Sequence, residues 1–111
     1  MSAYYPKDSN TMEQALRVQE LIISGADAGL FTISGGNCFV LIREPVQKVF
    51  LASVKVDSSN TVTQFAQSSI VICDSSLLTA GGNQGAIELV GLASVAANDV
   101  IVVRYSVLEH L

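Results

Sequence analysis

Apolar and polar residues alternate in several segments of this chain with the two-residue period of a β-strand. The alternation is clearest in Val100–Leu108, where every second residue from Ile101 to Val107 falls on one face. Pro45, which cannot donate a ladder hydrogen bond, breaks the pattern before it resumes. The pattern predicts strands at Leu30–Ser34, Cys38–Arg43, Val46–Val56, Thr61–Phe65, Ser68–Cys73, Ala86–Val90 and Val100–Leu108.

Turn-forming residues separate the predicted strands. They occur at Gly35–Asn37, Asp57–Asn60 and Asn98–Asp99, where Asn, Asp and Ser side chains can bond their own backbone and glycine can take unusual conformations. Most connections are too short for a crossover helix, which favours antiparallel pairing. Seven or eight short strands at this spacing predict an all-β fold, either an antiparallel β-sandwich or a jelly roll.

A chain of 111 residues has room for one domain with one modest core. The apolar strand faces predict its members. They are Phe39, Leu41, Phe50, Ala52, Val54, Ile70, Ile72, Leu89, Ile101, Val103 and Tyr105.

The first 24 residues follow a different pattern. Residues 1–10 are polar around Tyr4, Tyr5 and Pro6, and form either a docking arm or a frayed terminus. In residues 11–24, a capping-box pattern favours a short helix or turn, whereas the apolar run before Gly25 suits a strand. We therefore predict an N-terminal arm with a short helix or turn over 1–24, including a strand near Leu21–Ser24, and a β-sandwich domain over 25–111.

Charged residues are scarce. They make up 14% of the chain, against a typical share of about 25%, while half of the residues are apolar. A surface with so few charges does little to prevent copies of the chain from associating. We therefore expect a homo-oligomer; the alternative is a monomer with a neutral surface. The expected contacts between copies are the 81–85 loop and the second, apolar faces of the 38–43 and 100–108 strands. In the alternative interpretation, these faces are buried within the chain, against the second sheet or the 11–24 segment. The residues of these second faces are Val40, Ile42, Val100 and Val102.

The net charge is −4, and the six basic residues form no cluster. Binding to nucleic acid or to an anionic membrane is therefore not expected. The start of the chain lacks the apolar run of a signal peptide, and no apolar stretch reaches the about 20 residues of a membrane span. We expect a protein made in a cytoplasm.

Residues that carry catalytic chemistry form no recognisable arrangement. His110, the only histidine, is the penultimate residue, whereas a hydrolytic triad needs a positioned base. Cys38 and Cys73 lack metal-binding spacing and are expected to be reduced core residues, with a disulfide as the alternative. We expect no enzymatic activity, metal or cofactor. Three carboxylates are expected to be solvated, at turns or on a strand surface: Glu44, Glu88 and Asp99.

A glycine-rich segment spans Gly81–Gly85. Such loops can cradle phosphate, but this one lacks the Gly-Lys-Ser/Thr ending of a P-loop and leads into a strand. It is either a flexible loop or a contact with a neighbour. The candidate partner-binding residues are Tyr4, Tyr5, Pro6, Gly81, Gly82, Asn83 and Gln84.

Over residues 25–111 the chain resembles small β-rich virion proteins of tailed bacteriophages, including capsid decoration (cement) proteins. The shared features are low charge, abundant Ala, Val, Ser, Thr, Gly and Asn, a polar N-terminal arm, hairpins closed by Gly, Asn or Ser turns, and an ending like residues 96–108. The resemblance implies a domain that oligomerises, often as a trimer, on an icosahedral shell in the virion. Its partner would be the major capsid protein or another virion protein. The resemblance assigns no functional residue.

We therefore expect a non-catalytic virion structural protein, a capsid decoration protein that binds and stabilises the phage capsid. The alternative from another class is a carbohydrate- or small-ligand-binding β module, such as a host-recognition domain. A chain with no Trp and few loop aromatics is short of the aromatic platforms that such modules usually expose. An enzyme comes third.

Overall fold

The chain forms two antiparallel β-sheets in the computed structural model, which describes residues 14–27, 29–73 and 82–110. The described strands are β1 (Gln14–Ser24), β2 (Phe31–Ser34), β3 (Asn37–Ile42), β4 (Val46–Val56), β5 (Thr61–Gln64), β6 (Ile70–Cys73), β7 (Gly85–Leu89) and β8 (Val100–His110). Sheet A has the order β1-β8-β4-β5, and sheet B has the order β2-β3-β7-β6. The all-β, antiparallel sandwich predicted from the sequence is confirmed.

The inner faces of the two sheets meet in one hydrophobic core. Val40 and Ile87 of sheet B and Ile101 and Val103 of sheet A are completely buried. Burying an aliphatic side chain of this size stabilises the fold by about 1.5–3 kcal/mol relative to leaving it exposed. The core cluster comprises Ile23, Cys38, Val40, Ile42, Val46, Val49, Ala52, Val54, Ile87, Leu89, Ile101, Val103, Tyr105 and Val107.

The inner face of β3 is the opposite of the predicted one. Cys38, Val40 and Ile42 are buried, whereas Phe39 and Leu41 are half-buried on the other face. Both faces of this strand are apolar, so the alternation that normally distinguishes them is missing. The prediction that Phe39 and Leu41 belong to the core is therefore wrong.

β4 has the predicted bounds but contains irregularities. Its register with β8 shifts twice between Val46 and Leu51. Each bulge inserts one residue and turns the following side chains to the other face of the strand. Val49 is therefore buried, and Phe50, predicted in the core, is 42% exposed, with its ring centroid 5.3 Å from Lys48 Nζ.

β6 contributes less to the core than predicted. It lies at the edge of sheet B and pairs only with β7 among the described strands. Ile70 is half-buried against the core, and Ile72 is 42% exposed, so the core assignment of Ile72 is wrong. An edge strand has a neighbour on one side only, which leaves its inward side chains partly open to water.

β1 replaces the short helix or turn predicted for residues 11–24. The strand expected near Leu21–Ser24 is confirmed, but it begins at Gln14. β1 pairs with β8 along its whole length without a register shift. The ladder outweighs the local helical spacing, because every residue of the strand gains a partner in β8. Residues 1–13, with the predicted arm, lie outside the described residues.

Two predicted turns are confirmed in detail. Gly35 and Gly36 have φ values of 60° and 81°, the left-handed conformations of the two-residue turn that best matches the strand twist. In the β4–β5 turn, Asn60 has φ 52°, and its N–H donates to the Asp57 carbonyl at 3.2 Å. Asn tolerates this conformation better than most non-glycine residues.

Candidate functional site

Three of the predicted partner-binding residues lie in the described part, beside the β3–β4 connection. Gln84 N–H donates to the Ile42 carbonyl at 2.9 Å. Gly82 has φ 93°, and a Cβ there would lie 3.7 Å from Arg43 Nη1. Asn83 lines a pocket next to this connection. The described end of the loop is thus anchored to β3. The remaining predicted residues, Tyr4, Tyr5, Pro6 and Gly81, lie outside the described residues.

The pocket has a volume of about 330 Å³ and opens between β1 and the β3–β4 connection. This volume is at the small end of the range for ligand sites. Tyr105, which is almost completely buried, is one of the residues that line it. Apolar walls come from Leu21, Leu30 and Leu41, and polar groups come from Gln19, Arg43, Glu44 and Asn83.

Two side-chain contacts organise the polar wall of the pocket. Arg17 Nη2 donates to Glu44 Oε2 and forms an ion pair with it, and Gln19 Nε2 donates to the Tyr105 hydroxyl at 3.3 Å. Burial raises the pKa of Tyr105, Glu44 raises it further, and Arg17 opposes them. The Tyr105 hydroxyl is therefore a neutral hydrogen-bonding group at pH 7. Glu44 is half-buried and paired, which corrects the expectation that it is simply solvated.

The predicted second-face contacts are divided by the structure. Val40 and Ile42 are buried in the core against sheet A, so they are wrong as self-contact residues. Val100 and Val102 lie on the outer face of sheet A and are half-buried. The two pairs differ because β3 turns its even-numbered residues toward the core, whereas β8 turns its odd-numbered residues toward it.

The outer face of sheet A exposes large apolar side chains on both of its edge strands. Val18 and Ile22 on β1 are 59% and 63% exposed, and Val62 on β5 is 66% exposed. Glu20 lies between the two β1 residues and pairs with Arg104 Nη2 at 3.2 Å. The one charge within this stretch of β1 is therefore neutralised by its neighbour on β8.

The backbone hydrogen bonds at the end of β1 reveal which of its groups face β8. Gly25 N–H donates to the Asp99 carbonyl at 2.8 Å, in register with the β1–β8 ladder. In an antiparallel ladder, alternate residues bond to the same neighbour, so the odd-numbered residues of β1 bond to β8. Ser24 agrees, because its N–H donates to the Asp27 carboxylate at 3.0 Å and its carbonyl accepts from Asp27 N–H at 2.9 Å.

The even-numbered residues of β1 consequently present their backbone groups to the outer edge of sheet A, away from β8. Among the described residues, the N–H and C=O groups of Val18, Glu20 and Ile22 have no partner. Two of these residues, Val18 and Ile22, also carry the exposed apolar side chains described above. We call these three residues, with their backbone groups, the β1 edge.

Asp99 is the polar residue whose role the sequence did not reveal. It is 6% exposed, and its carboxylate accepts from Asp57 N–H at 3.0 Å and from Ala96 N–H at 2.9 Å. Its carbonyl accepts from Gly25, so one residue joins the β1–β2, β4–β5 and β7–β8 connections. The backbone hydrogen bonds from Asp57 and then Ala96 lower the pKa of Asp99, and burial opposes them. The expectation of a solvated carboxylate is wrong here.

Neither cysteine forms a disulfide. Cys38 is buried in the core as predicted, and burial raises the pKa of its thiol to about 11. Cys73 is half-buried at the end of β6, with its sulfur 3.9 Å from a Glu88 carboxylate oxygen, so the expectation that it belongs to the core is wrong. The two cysteines are not joined to each other, in contrast to the disulfide alternative.

Across residues 14–27, 29–73 and 82–110, no cluster of three or more His, Cys, Asp or Glu side chains is placed to hold a metal ion. The same residues contain no helix long and apolar enough to cross a membrane. Comparisons with protein-family models, with curated proteins and with solved structures return no match.

Proposed function

We propose that this chain is a non-catalytic structural protein of a phage virion, a capsid decoration (cement) protein that self-associates and stabilises the shell it binds. The supporting observation is the outer face of sheet A, where Val18 and Ile22 are exposed on β1, an edge strand with no second neighbour among the described strands. Exposed apolar surface of this kind is characteristic of protein contact sites.

The composition supports binding by burial of apolar surface and by backbone hydrogen bonds. With only 14% charged residues, the chain has few groups for electrostatic attraction. We therefore expect shell binding to depend weakly on salt, in contrast to a contact between opposite charges. A sheet surface is also rigid before binding, so little conformational entropy is lost on docking.

The genes next to the coding sequence identify the shell for the experiment. We expect them to encode a portal, a protease and a major capsid protein. Shells assembled from that capsid protein are mixed with the purified chain, and binding is measured by co-sedimentation. Saturable binding and a higher melting temperature of the shell are expected. Absence of saturable binding would contradict the proposal.

A matched pair of variants tests the contact face. Ile22→Ser removes apolar surface from the outer face of sheet A and should weaken binding to the shell. Val71→Ser makes the same kind of change on the outer face of sheet B, where the side chain is also exposed, and should leave binding unchanged. Equal effects of the two substitutions would show that sheet A has no special part in binding.

The pocket favours a second candidate function, binding of a carbohydrate or another small ligand. Its amide, guanidinium and carboxylate groups can donate to and accept from sugar hydroxyls, while the leucine side chains can pack against apolar sugar faces. Micromolar binding on a glycan array, lost in Arg43→Ala and accompanied by no affinity for shells, would favour this function over the first.

A further inference from the structure

We propose that two copies of this chain associate through the β1 edge, pairing antiparallel across a two-fold axis at Glu20. Val18 of each copy then lies opposite the partner's Ile22. This inference rests on the self-association included in the proposed function and identifies the residues that make it. It does not depend on the identity of the shell.

The chemistry of the β1 edge selects an extended backbone as its partner. The N–H and C=O groups of Val18, Glu20 and Ile22, which have no partner among the described residues, recur every second residue, which is the spacing that another strand presents. Each of the three residues can exchange two hydrogen bonds with a residue of the added strand. A helix or a compact loop cannot supply this repeat.

β1 also has few of the devices that keep exposed sheet edges from pairing, and its two charged residues, Arg17 and Glu20, are each ion-paired within the chain. Proteins usually protect edges by shortness, bulges, proline or lysine. β1 has 11 residues and no register shift, and the segment Gln14–Ser24 contains neither proline nor lysine. The other edge strands, β2, β5 and β6, each have four residues. β1 is thus the longest and least protected edge among the described strands.

The side chains make β1 complementary to itself. A two-fold axis at Glu20 places Val18 opposite the partner's Ile22 and repeats the contact on the other side of the axis. These residues are 59% and 63% exposed in the single chain, so both lose water contact on pairing. The two Glu20 carboxylates approach each other, but each is paired with Arg104 of its own chain at 3.2 Å, which offsets their repulsion.

The symmetry of this contact fixes the number of subunits. A strand that pairs with its own copy uses the same surface on both sides, so the contact closes at two chains. The geometry therefore points to a dimer, whereas the phage-protein resemblance implied a trimer. Molecular mass by light scattering distinguishes them.

Val62 offers a closely matched control for Val18. It is an exposed valine on the outer face of the same sheet, at the opposite edge. Phe65 N–H donates to the Ala52 carbonyl at 2.8 Å, in register with the β4–β5 ladder. By the same alternation, Val62 N–H points away from β4, just as Val18 N–H points away from β8.

The experiment compares Val18→Lys and Val18→Pro with Val62→Lys and Val62→Pro in the full chain, using sedimentation velocity over a range of micromolar concentrations. Lysine adds charge at the edge, and proline removes an outward N–H without breaking a ladder bond. We expect a wild-type dimer, a rise in dissociation constant of about tenfold or more for both Val18 variants, and little change for both Val62 variants. Melting temperatures identify any variant that fails to fold.

A monomeric or trimeric wild-type protein, or equal weakening by the Val62 variants, would overturn the inference. Shell binding is measured separately on the same variants. If the chain dimerises through β1 but binds no shell, the β1 pairing stands and the decoration function fails. If the chain binds shells while remaining monomeric, the decoration function stands and the β1 pairing fails.

Discussion

Replacing Gly25 with alanine tests how tightly the β1–β2 connection packs against the segment before β8. A Cβ on Gly25 would lie 1.8 Å from the Ala96 carbonyl oxygen and 2.7 Å from its carbonyl carbon. Ordinary contact begins at 3.4 Å, so the two backbones must separate by the difference from 1.8 Å, about 1.6 Å. The obstacle is main chain, which cannot rotate away as a flexible side chain can.

The expected cost follows from these distances. Overpacking of this kind costs about 1–3 kcal/mol. The separation also stretches the 2.8 Å hydrogen bond from Gly25 N–H to the Asp99 carbonyl, and losing it adds about 1 kcal/mol. The total destabilisation is about 2–4 kcal/mol. At about 4 °C per kcal/mol for a domain of this size, the melting temperature should fall by about 8–16 °C.

Differential scanning calorimetry measures the effect, and Gly29→Ala is the control. A Cβ on Gly29 meets no atom within 4 Å, and this glycine has no positive φ. Gly29→Ala should therefore be neutral or stabilise by about 0.4–1 kcal/mol, because alanine restricts the unfolded chain. A Gly25→Ala protein that melts within about 2 °C of the wild type would refute the close packing of these connections.

Three further predictions concern the core, an acidic residue and a thiol. Ile87 and Ile72 are cross-strand partners, but only Ile87 is completely buried. Denaturant unfolding should therefore show that Ile87→Ala lowers the free energy of unfolding by about 2–5 kcal/mol and Ile72→Ala by about 1 kcal/mol or less. Similar losses would contradict the assigned faces. Asp99→Asn should lower the melting temperature at pH 7. The backbone hydrogen bonds that lower the pKa of Asp99 stabilise the fold above the unfolded pKa of about 3.9, and this contribution is lost as the pH falls through the folded value. The difference from wild type should therefore shrink below about pH 3.9, and a constant difference in acid would contradict this assignment. Because burial raises the pKa of Cys38 to about 11, iodoacetamide at pH 8 should modify Cys73 first and Cys38 only after unfolding, and mass spectrometry showing equal rates would argue against it.

Sequence patterns predicted the strands well where polar and apolar residues alternate, or where a proline or a turn-forming residue directly precedes the strand. β4 begins directly after Pro45 and has the predicted bounds, and β8 begins after the Asn98–Asp99 turn as expected. β3 was assigned correctly as a strand, but its inner face was not, because both faces are apolar. The bulges that expose Phe50 depend on the register with β8 and leave no local signal.

The candidate sites were less accessible to sequence analysis, because they depend on residues far apart in the chain. The pocket combines Gln19 of β1 with Tyr105 of β8 and with the β3–β4 connection. Asp99 has the local pattern of a turn residue, and only the approach of Asp57 and Gly25 gives it a buried position. The β1 edge was missed because local helical spacing favoured a helix or turn for that segment.

The position of β8 has a consequence for the order in which the protein folds during synthesis. β8 follows all other described strands in the chain, yet it lies between β1 and β4 in sheet A. The hairpin of β2 and β3 can form early. β1 and β4 each pair with β8 and not with each other, so they cannot join one sheet until residues 100–110 have emerged from the ribosome. Sheet A is thus completed only when β8 inserts between β1 and β4. This step is expected to be slow, because it forms contacts between residues far apart in the sequence. Until then, Ile23 lacks its partner Ile101 and Val54 is paired only on its β5 side, so the nascent chain is open to aggregation and to capture by chaperones.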